Sequence, residues 1–212
     1  MRKLLLLAVF AFAGIMAMAQ QDPKAKSILE NVTKTTQSYT SIQASFDYVM
    51  ENKEEGIFEE NKGNILMKGD NYQLKLPLLG LEIYCNGSNV WTYMKDANEV
   101  SITTLDEDSG EMMNPSKLFT IYEEGFNYKF VEETADIYVI DLFPQTNSIE
   151  YSKIRIQVDK KQMLIKKAEM GGQEGNNYIV KVNDLKTNVP AEDSAFVFDK
   201  SKHPGVEVID LR

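Results

Sequence analysis

Tyr72-Gln73-Leu74-Lys75-Leu76-Pro77 is the stretch that decides the fold. Apolar Tyr72, Leu74 and Leu76 alternate strictly with polar Gln73 and Lys75, the period-two signature of a strand with one buried and one wet face. Pro77 has no N–H to give to a ladder, so it ends the strand or bends it. Upstream, Gly63 begins another strand with Ile65 and Met67 on one face, and Phe46, Tyr48 and Met50 alternate with Ser45, Asp47 and Val49. Downstream, Leu81–Tyr84 and Val90–Met94 flank the turn Asn86-Gly87-Ser88. Asn-Gly between apolar runs specifies a tight hairpin, because both residue types accept positive φ.

Further out the period changes. Asp22-Pro23 reads as an N-cap followed by proline at the first helical position. Ile28, Leu29, Val32, Thr36 and Tyr39 then recur at helical spacing, which predicts one amphipathic helix of roughly four turns. Beyond the hairpin, Asp106 to Pro115 is an acidic loop, and Ser116 to Tyr122 reads as a short helix carrying Leu118, Phe119 and Tyr122, a lid or plug. Strands resume at Asn127–Val131, Ile137–Phe143, Ile154–Val158, Met163–Met170 and Tyr178–Asn183. Gly171-Gly172 and Gly175-Asn176-Asn177 supply turns, and a polar loop leads to Phe196–Phe198 and a tail strand, Val206–Ile209. The pattern is mainly β with α: one helix, six strands, a helical insertion, then five or six more strands. That order predicts a large, strongly curved antiparallel sheet whose apolar concave face needs the helix and the insertion as cover.

Residues 1–19 read as an address. Arg2 and Lys3 precede an apolar run from Leu4 to Ile15, and Ala17-Met18-Ala19 is a small-x-small cleavage site. The run is shorter than the ~20 apolar residues of a membrane span. Cutting before Gln20 would leave residues 20–212 as a single soluble domain, since no repeat or linker divides them. No Cys follows the run, so the chain is not expected to be lipidated; its single Cys, Cys85, excludes an internal disulfide and reads as a small core or cavity-lining residue. Without Arg2 and Lys3, 21 basic residues face 32 acidic ones, a net charge of about −11 that argues against nucleic acid as a partner.

Chemistry of an enzymatic kind has little to stand on. The one His, His203, falls in a Pro-Gly turn and reads as a solvated turn residue. A His-rich zinc site is excluded, and no nucleophile-elbow motif accompanies a Ser. The acidic clusters Glu51–Glu55, Glu59-Glu60 and Asp106–Glu111 read as solvated loops without the ligand spacing of a calcium site. No cofactor, metal or catalytic residue is expected.

Several landmarks resemble the LolA-type lipoprotein carrier family. Tyr39-Thr40-Ser41-Ile42-Gln43-Ala44-Ser45-Phe46 is similar to the family's "S-hydrophobic-x-A-x-F" run into its first strand, and Gly63-Asn64-Ile65-Leu66-Met67-Lys68 to its "G-x-L-x-x-K" strand. Asn86-Gly87-Ser88-Asn89-Val90-Trp91-Thr92-Tyr93 resembles the "D-G-x-x-hydrophobic-W-x-Y" hairpin. Phe196-Val197-Phe198 with His203-Pro204-Gly205-Val206-Glu207-Val208-Ile209-Asp210 resembles "F-x-F-x-x-P-x-G-V-x-V-x-D". The resemblance implies an unclosed β-barrel covered by helices, a periplasmic location and a cavity for lipoprotein acyl chains. It implies acylated lipoproteins as cargo, an inner-membrane lipoprotein-releasing ABC transporter as donor and an outer-membrane acceptor; the carrier is expected to be a monomer. Family members also carry an Arg-Pro turn after the "G-x-L-x-x-K" strand, whose Arg latches the helical lid. Here that turn reads Gly69-Asp70-Asn71, so the latch is not expected in this chain.

The expected wall of the acyl cavity is Phe46, Tyr48, Met50, Ile65, Met67, Tyr72, Leu74, Leu76 and Ile83, with Leu118 and Phe119 from the insertion. Seven Met remain in residues 20–212, and their flexible thioethers suit chains of varying length. The competing reading of the same residues is plain core. Trp91 and Tyr93 share the opposite face of their strand from Val90, Thr92 and Met94 and read as structural packing. A carrier of another lipid or amphiphile, or a periplasmic lipoprotein-sensing module, would share these features.

Overall fold

The computed structural model describes residues 22–105, 125–146, 151–172 and 175–212. Helix α1 (Pro23–Gln37) is followed by β1 (Ile42–Asn52), β2 (Ile57–Lys68), β3 (Asn71–Leu76), β4 (Leu81–Asn86), β5 (Asn89–Met94) and β6 (Glu99–Thr104). After the insertion come β7 (Phe126–Glu133), β8 (Ile137–Pro144), β9 (Tyr151–Asp159), β10 (Ile165–Gly172), β11 (Asn176–Thr187) and β12 (Glu207–Asp210). All twelve strands form one curved sheet in the order β12-β6-β5-β4-β3-β2-β1-β11-β10-β9-β8-β7. Every neighbouring pair is antiparallel except β12, which returns to pair parallel with β6. β7 and β12 stand at opposite ends of the order, so the sheet is unclosed.

Each expected strand is present, but some residues expected in loops or turns lie in strands: Glu51 in β1, Gly171-Gly172 at the end of β10 and Asn176-Asn177 at the start of β11. β2 starts at Ile57, not Gly63, so Glu59-Glu60 lie in a strand rather than a solvated loop, both exposed on it. β6 is a strand that no expected range covers, although Val100 and Ile102 alternate with Ser101 and Thr103; Val100 is buried. The insertion, Leu118 and Phe119 with it, lies outside the described residues, as do residues 1–21 and the acidic run 106–111.

α1 forms where its cap demands. Asp22 Oδ1 accepts the N–H groups of Lys24 (2.9 Å) and Ala25 (3.2 Å), two donors with no partner inside the helix. Asp22 also binds the helix to the sheet: its Oδ2 accepts the Phe130 N–H at 3.0 Å, and its own N–H donates to the Tyr128 carbonyl at 3.4 Å. These bonds occupy backbone groups of the edge strand β7 that would otherwise invite another chain. Ala25, Ile28, Leu29 and Val32 are buried on β7–β10 against Phe126, Tyr128, Ile140, Leu142, Ile154 and Ile156. Each large apolar side chain so placed contributes roughly 1.5–3 kcal/mol.

The opposite face carries a separate core. After β11 the chain crosses behind β2–β6, where Lys68 Nζ binds Asp193 (2.8 Å) and Gln73 Nε2 donates to the Ala195 carbonyl (2.8 Å). Phe198 packs against Tyr84 and Tyr93, with ring centroids 5.9 Å and 5.2 Å away. His203 is half-buried and lies 4.4 Å from the Tyr93 ring and 4.6 Å from that of Phe198, so it is part of this packing and not a solvated turn residue. Tyr93 is buried and Trp91 half-buried in the same cluster, as structural packing requires.

Candidate functional site: the inner apolar face

Ladder register shows which residues share the face that α1 covers. On β1, β2 and β3, Ile42 lies opposite Met67 and Ala44 opposite Ile65; Met67 in turn faces Tyr72, and Ile65 faces Leu74. β4 adds Cys85 opposite Tyr72, Ile83 opposite Leu74 and Leu81 opposite Leu76. On the other side, Phe46, Tyr48 and Met50 face Val182, Val180 and Tyr178 of β11. The row continues through Ala168 and Met170 to Ile156 and Ile154, then Ile140 and Leu142, then Phe130 and Tyr128. One apolar surface therefore runs in register from β7 to β5.

All nine described candidates, from Phe46 to Ile83, stand on this one face. Met67, Tyr72, Leu74, Leu76 and Ile83 are buried, whereas Phe46, Tyr48, Met50 and Ile65 are half-buried. Ile42, Ala44, Leu81 and Val90 belong to it as well and escaped the sequence reading, and Cys85, expected as a small core or cavity-lining residue, stands on it too. Cys85 and Leu81 follow from Ile83 by the two-residue period, and Val90 from its place across the hairpin from Cys85. The Cys85 thiol is fully buried, with its Sγ accepting the Gly87 N–H at 3.4 Å, as a small lining residue would be.

The face has two halves. The cluster of β7–β10 contains four α1 side chains. The cluster of β1–β5 contains Ile42, Met67, Tyr72, Leu74, Ile83, Cys85 and Val90, edged by Tyr39, Phe46, Ile65, Leu81, Leu105 and Leu185; no α1 residue joins it, and Tyr39, expected on the helix, lies just past its end at Gln37. Gly63 sits under this half: a Cβ there would lie 2.2 Å from the Phe46 ring, so the missing side chain is what lets that ring lie flat on β2. At the far turn, Gly69 holds φ +57°, the left-handed conformation that closes β2 onto β3 where the family's Arg-Pro would stand.

A second concavity differs in chemistry. A cleft of about 310 Å³ lies on the outer face, between β3–β4 and the crossing segment, lined by Gln73, Lys75, Glu82, Tyr84, Asp199, Lys202 and His203 among others. Its charges pair internally, Lys75 with Glu82 at 3.4 Å and Lys202 with Asp199 at 3.3 Å. Burial, then a hydrogen bond to Glu82, pushes the Tyr84 phenol well above its usual range. Such a lining suits polar groups, not hydrocarbon. Among the described residues no cluster of His, Cys, Asp or Glu could hold a metal ion, and no helix is long and apolar enough to cross a membrane.

The family model described as outer membrane lipoprotein carrier protein LolA matches residues 37–199, from the end of α1 through the crossing segment. The chain belongs to the LolA family. An uncharacterized conserved protein from Thermus thermophilus shares the fold at TM-score 0.60 and 14% identity, over 88% of this chain and 99% of that one. A LolA superfamily protein from Nitrosomonas europaea is similar at TM-score 0.46 and 16% identity, over 82% and 97% of the two chains. The Mycobacterium tuberculosis lipoprotein LppX is similar at TM-score 0.49 and 12% identity, over 81% and 98%. No curated protein matches the chain in sequence. For a LolA-family chain, the β1–β5 half of the inner face is the candidate site.

Proposed function

We propose that this chain is a periplasmic carrier that shields lipoprotein acyl chains on the β1–β5 half of its inner face and ferries lipoproteins from the inner to the outer membrane. The observation that carries the reading is a single apolar face, continuous over most of a twelve-stranded sheet, of which α1 covers one half. Phe46, Tyr48, Met50, Ile65, Met67, Tyr72, Leu74, Leu76 and Ile83 form the wall, and Leu118 and Phe119 of the insertion complete it. Residues 1–19 are an export signal and 20–212 the mature single domain, not itself lipidated. A lipoprotein-releasing ABC transporter at the inner membrane loads the monomeric carrier, and an acceptor at the outer membrane unloads it.

The role is a binding role rather than catalysis. Hiding one CH₂ from water is worth about 0.8 kcal/mol, so a ~16-carbon chain represents on the order of 12 kcal/mol. A lipoprotein bearing several chains would almost never leave a bilayer unaided. The carrier need not bind more tightly than the bilayer; it must make transit tolerable and then release.

The test is to express the chain in the periplasm, purify residues 20–212 without detergent and identify bound molecules by mass spectrometry. Near-stoichiometric acylated lipoprotein peptides are the expected result. Recovery of a different lipid would move the function to another cargo. An empty protein that takes up no fluorescent acyl probe would overturn the reading.

A further inference from the structure

Toward the β1–β2 hairpin the inner face changes character. Ile42, Ala44 and Phe46 give way along β1 to Tyr48, Met50 and Asn52, and across on β2 Met67 and Ile65 give way to Asn61 and Glu59. Tyr48 stands opposite Asn61, and the Tyr48 and Tyr178 rings stack with centroids 6.3 Å apart and planes 18° apart. Tyr151 meets Tyr178 edge-on at 6.0 Å, and both pack at the margin of the α1-covered cluster, so with Tyr48 they stand on the border between the two halves of the face. Burial is the main reason the Tyr48 phenol titrates above its usual range, with Tyr178, Tyr151 and Glu59 adding to it. Its hydroxyl is therefore protonated at neutral pH and able to donate. Tyr48 and Tyr178 are half-buried, and among the described residues neither hydroxyl has a hydrogen-bond partner.

Two phenol donors at the end of a hydrocarbon-lined face match one part of an acyl lipid, the ester carbonyls that join the chains to glycerol. Phenols combine an apolar ring with a polar tip and so suit the level where chains end and polar groups begin. A buried ester carbonyl without a donor is costly, and two hydroxyl donors would relieve that cost. Building on the carrier reading, we infer that Tyr48 and Tyr178, held by Tyr151, form a subsite for the diacylglycerol ester junction of the cargo. The chains then run from this band toward Ile65 and Leu74.

The test uses residues 20–212 with three probes: a dipalmitoylglyceryl-cysteine lipopeptide, its dialkyl ether analogue, and dipalmitoyl phosphatidylglycerol. The ether keeps the chains and removes the carbonyls. The native chain should bind ester over ether roughly two- to tenfold, one or two hydrogen bonds' worth. In Tyr48→Phe combined with Tyr178→Phe, which keeps both rings, the ester-over-ether ratio should fall to about one, whatever the change in overall acyl affinity. Equal binding of ester and ether by the native chain, or equal loss of both in the variant, would overturn the subsite and leave the carrier reading standing. Failure of all probes to bind would overturn both. Both ester probes report the junction; a lead of the lipopeptide over the phospholipid assigns it to a lipoprotein, and parity to any diacylglycerol lipid.

Discussion

The β7–β10 and β1–β5 halves of the inner face present the same chemistry to different neighbours. Across β7–β10, Ile140, Leu142, Ile154 and Ile156 lie beneath Ala25, Ile28, Leu29 and Val32, and the pairing is that of an ordinary core. Across β1–β5, Met67, Tyr72, Leu74 and Ile83 are as apolar, but no helix α1 residue meets them, and Phe46 and Ile65 at their border remain half-buried. Apolarity alone thus does not separate a core from a binding wall. What separates them among the described residues is which elements meet them: α1 packs on one half, while Tyr39, Leu105 and Leu185 border the other.

Substitutions should divide along that line. Leu29 is 2% exposed and central to the covered half. Leu29→Ala should cost about 2–5 kcal/mol of stability by urea unfolding, with little change in acyl-probe affinity per folded molecule. A comparable loss of affinity would break the distinction between the halves. Ile65→Ser should show the reverse signature. Removing its methyl groups and adding a hydroxyl should weaken an acyl probe about tenfold, ~1.4 kcal/mol, at a smaller cost in stability than Leu29→Ala. Unchanged affinity in Ile65→Ser would mean that the wall lies elsewhere on the face.

How much of this was legible in the sequence follows from what each feature depends on. Face parity is local: Tyr72, Leu74 and Leu76 fix which side of β3 is apolar, and the ladder carries the assignment to Phe46 and Ile83 without slipping. α1 was legible through its Asp22-Pro23 start. β6 and the first half of β2 were not: Phe58–Lys62 has no apolar alternation, and in Glu99–Thr104 the alternation is limited to Val100 and Ile102, so both depend on their neighbours for a ladder. The division of the face into halves was equally hidden. It depends on where α1 docks, which Asp22 decides through Phe130 and Tyr128, more than a hundred residues away. His203 was misread for the same reason: its ring partners, Tyr93 and Phe198, meet only when the tail crosses the sheet.

The anchor of that docking gives the finest test. Burial works to raise the Asp22 pKa, but the N–H groups of Ala25, Phe130 and Lys24 outweigh it, with the Lys24 charge helping, so its carboxyl titrates below the ordinary range. A folded pKa below the unfolded one means stability present above about pH 3.9 and lost as pH falls through the folded value. Asp22→Ala should therefore cost about 1 kcal/mol at pH 7. That difference should hold down to about pH 5 and narrow below about pH 4, as the native carboxylate takes up its proton. Urea midpoints of both proteins across that range measure it; a gap that persists unchanged in acid would mean that the carboxylate charge is not what anchors the helix. Because the anchor serves only the covered half, the affinity of the β1–β5 half for an acyl probe should not follow the same pH curve. If it did, α1 would be part of the cargo's wall, and the two halves would be one site.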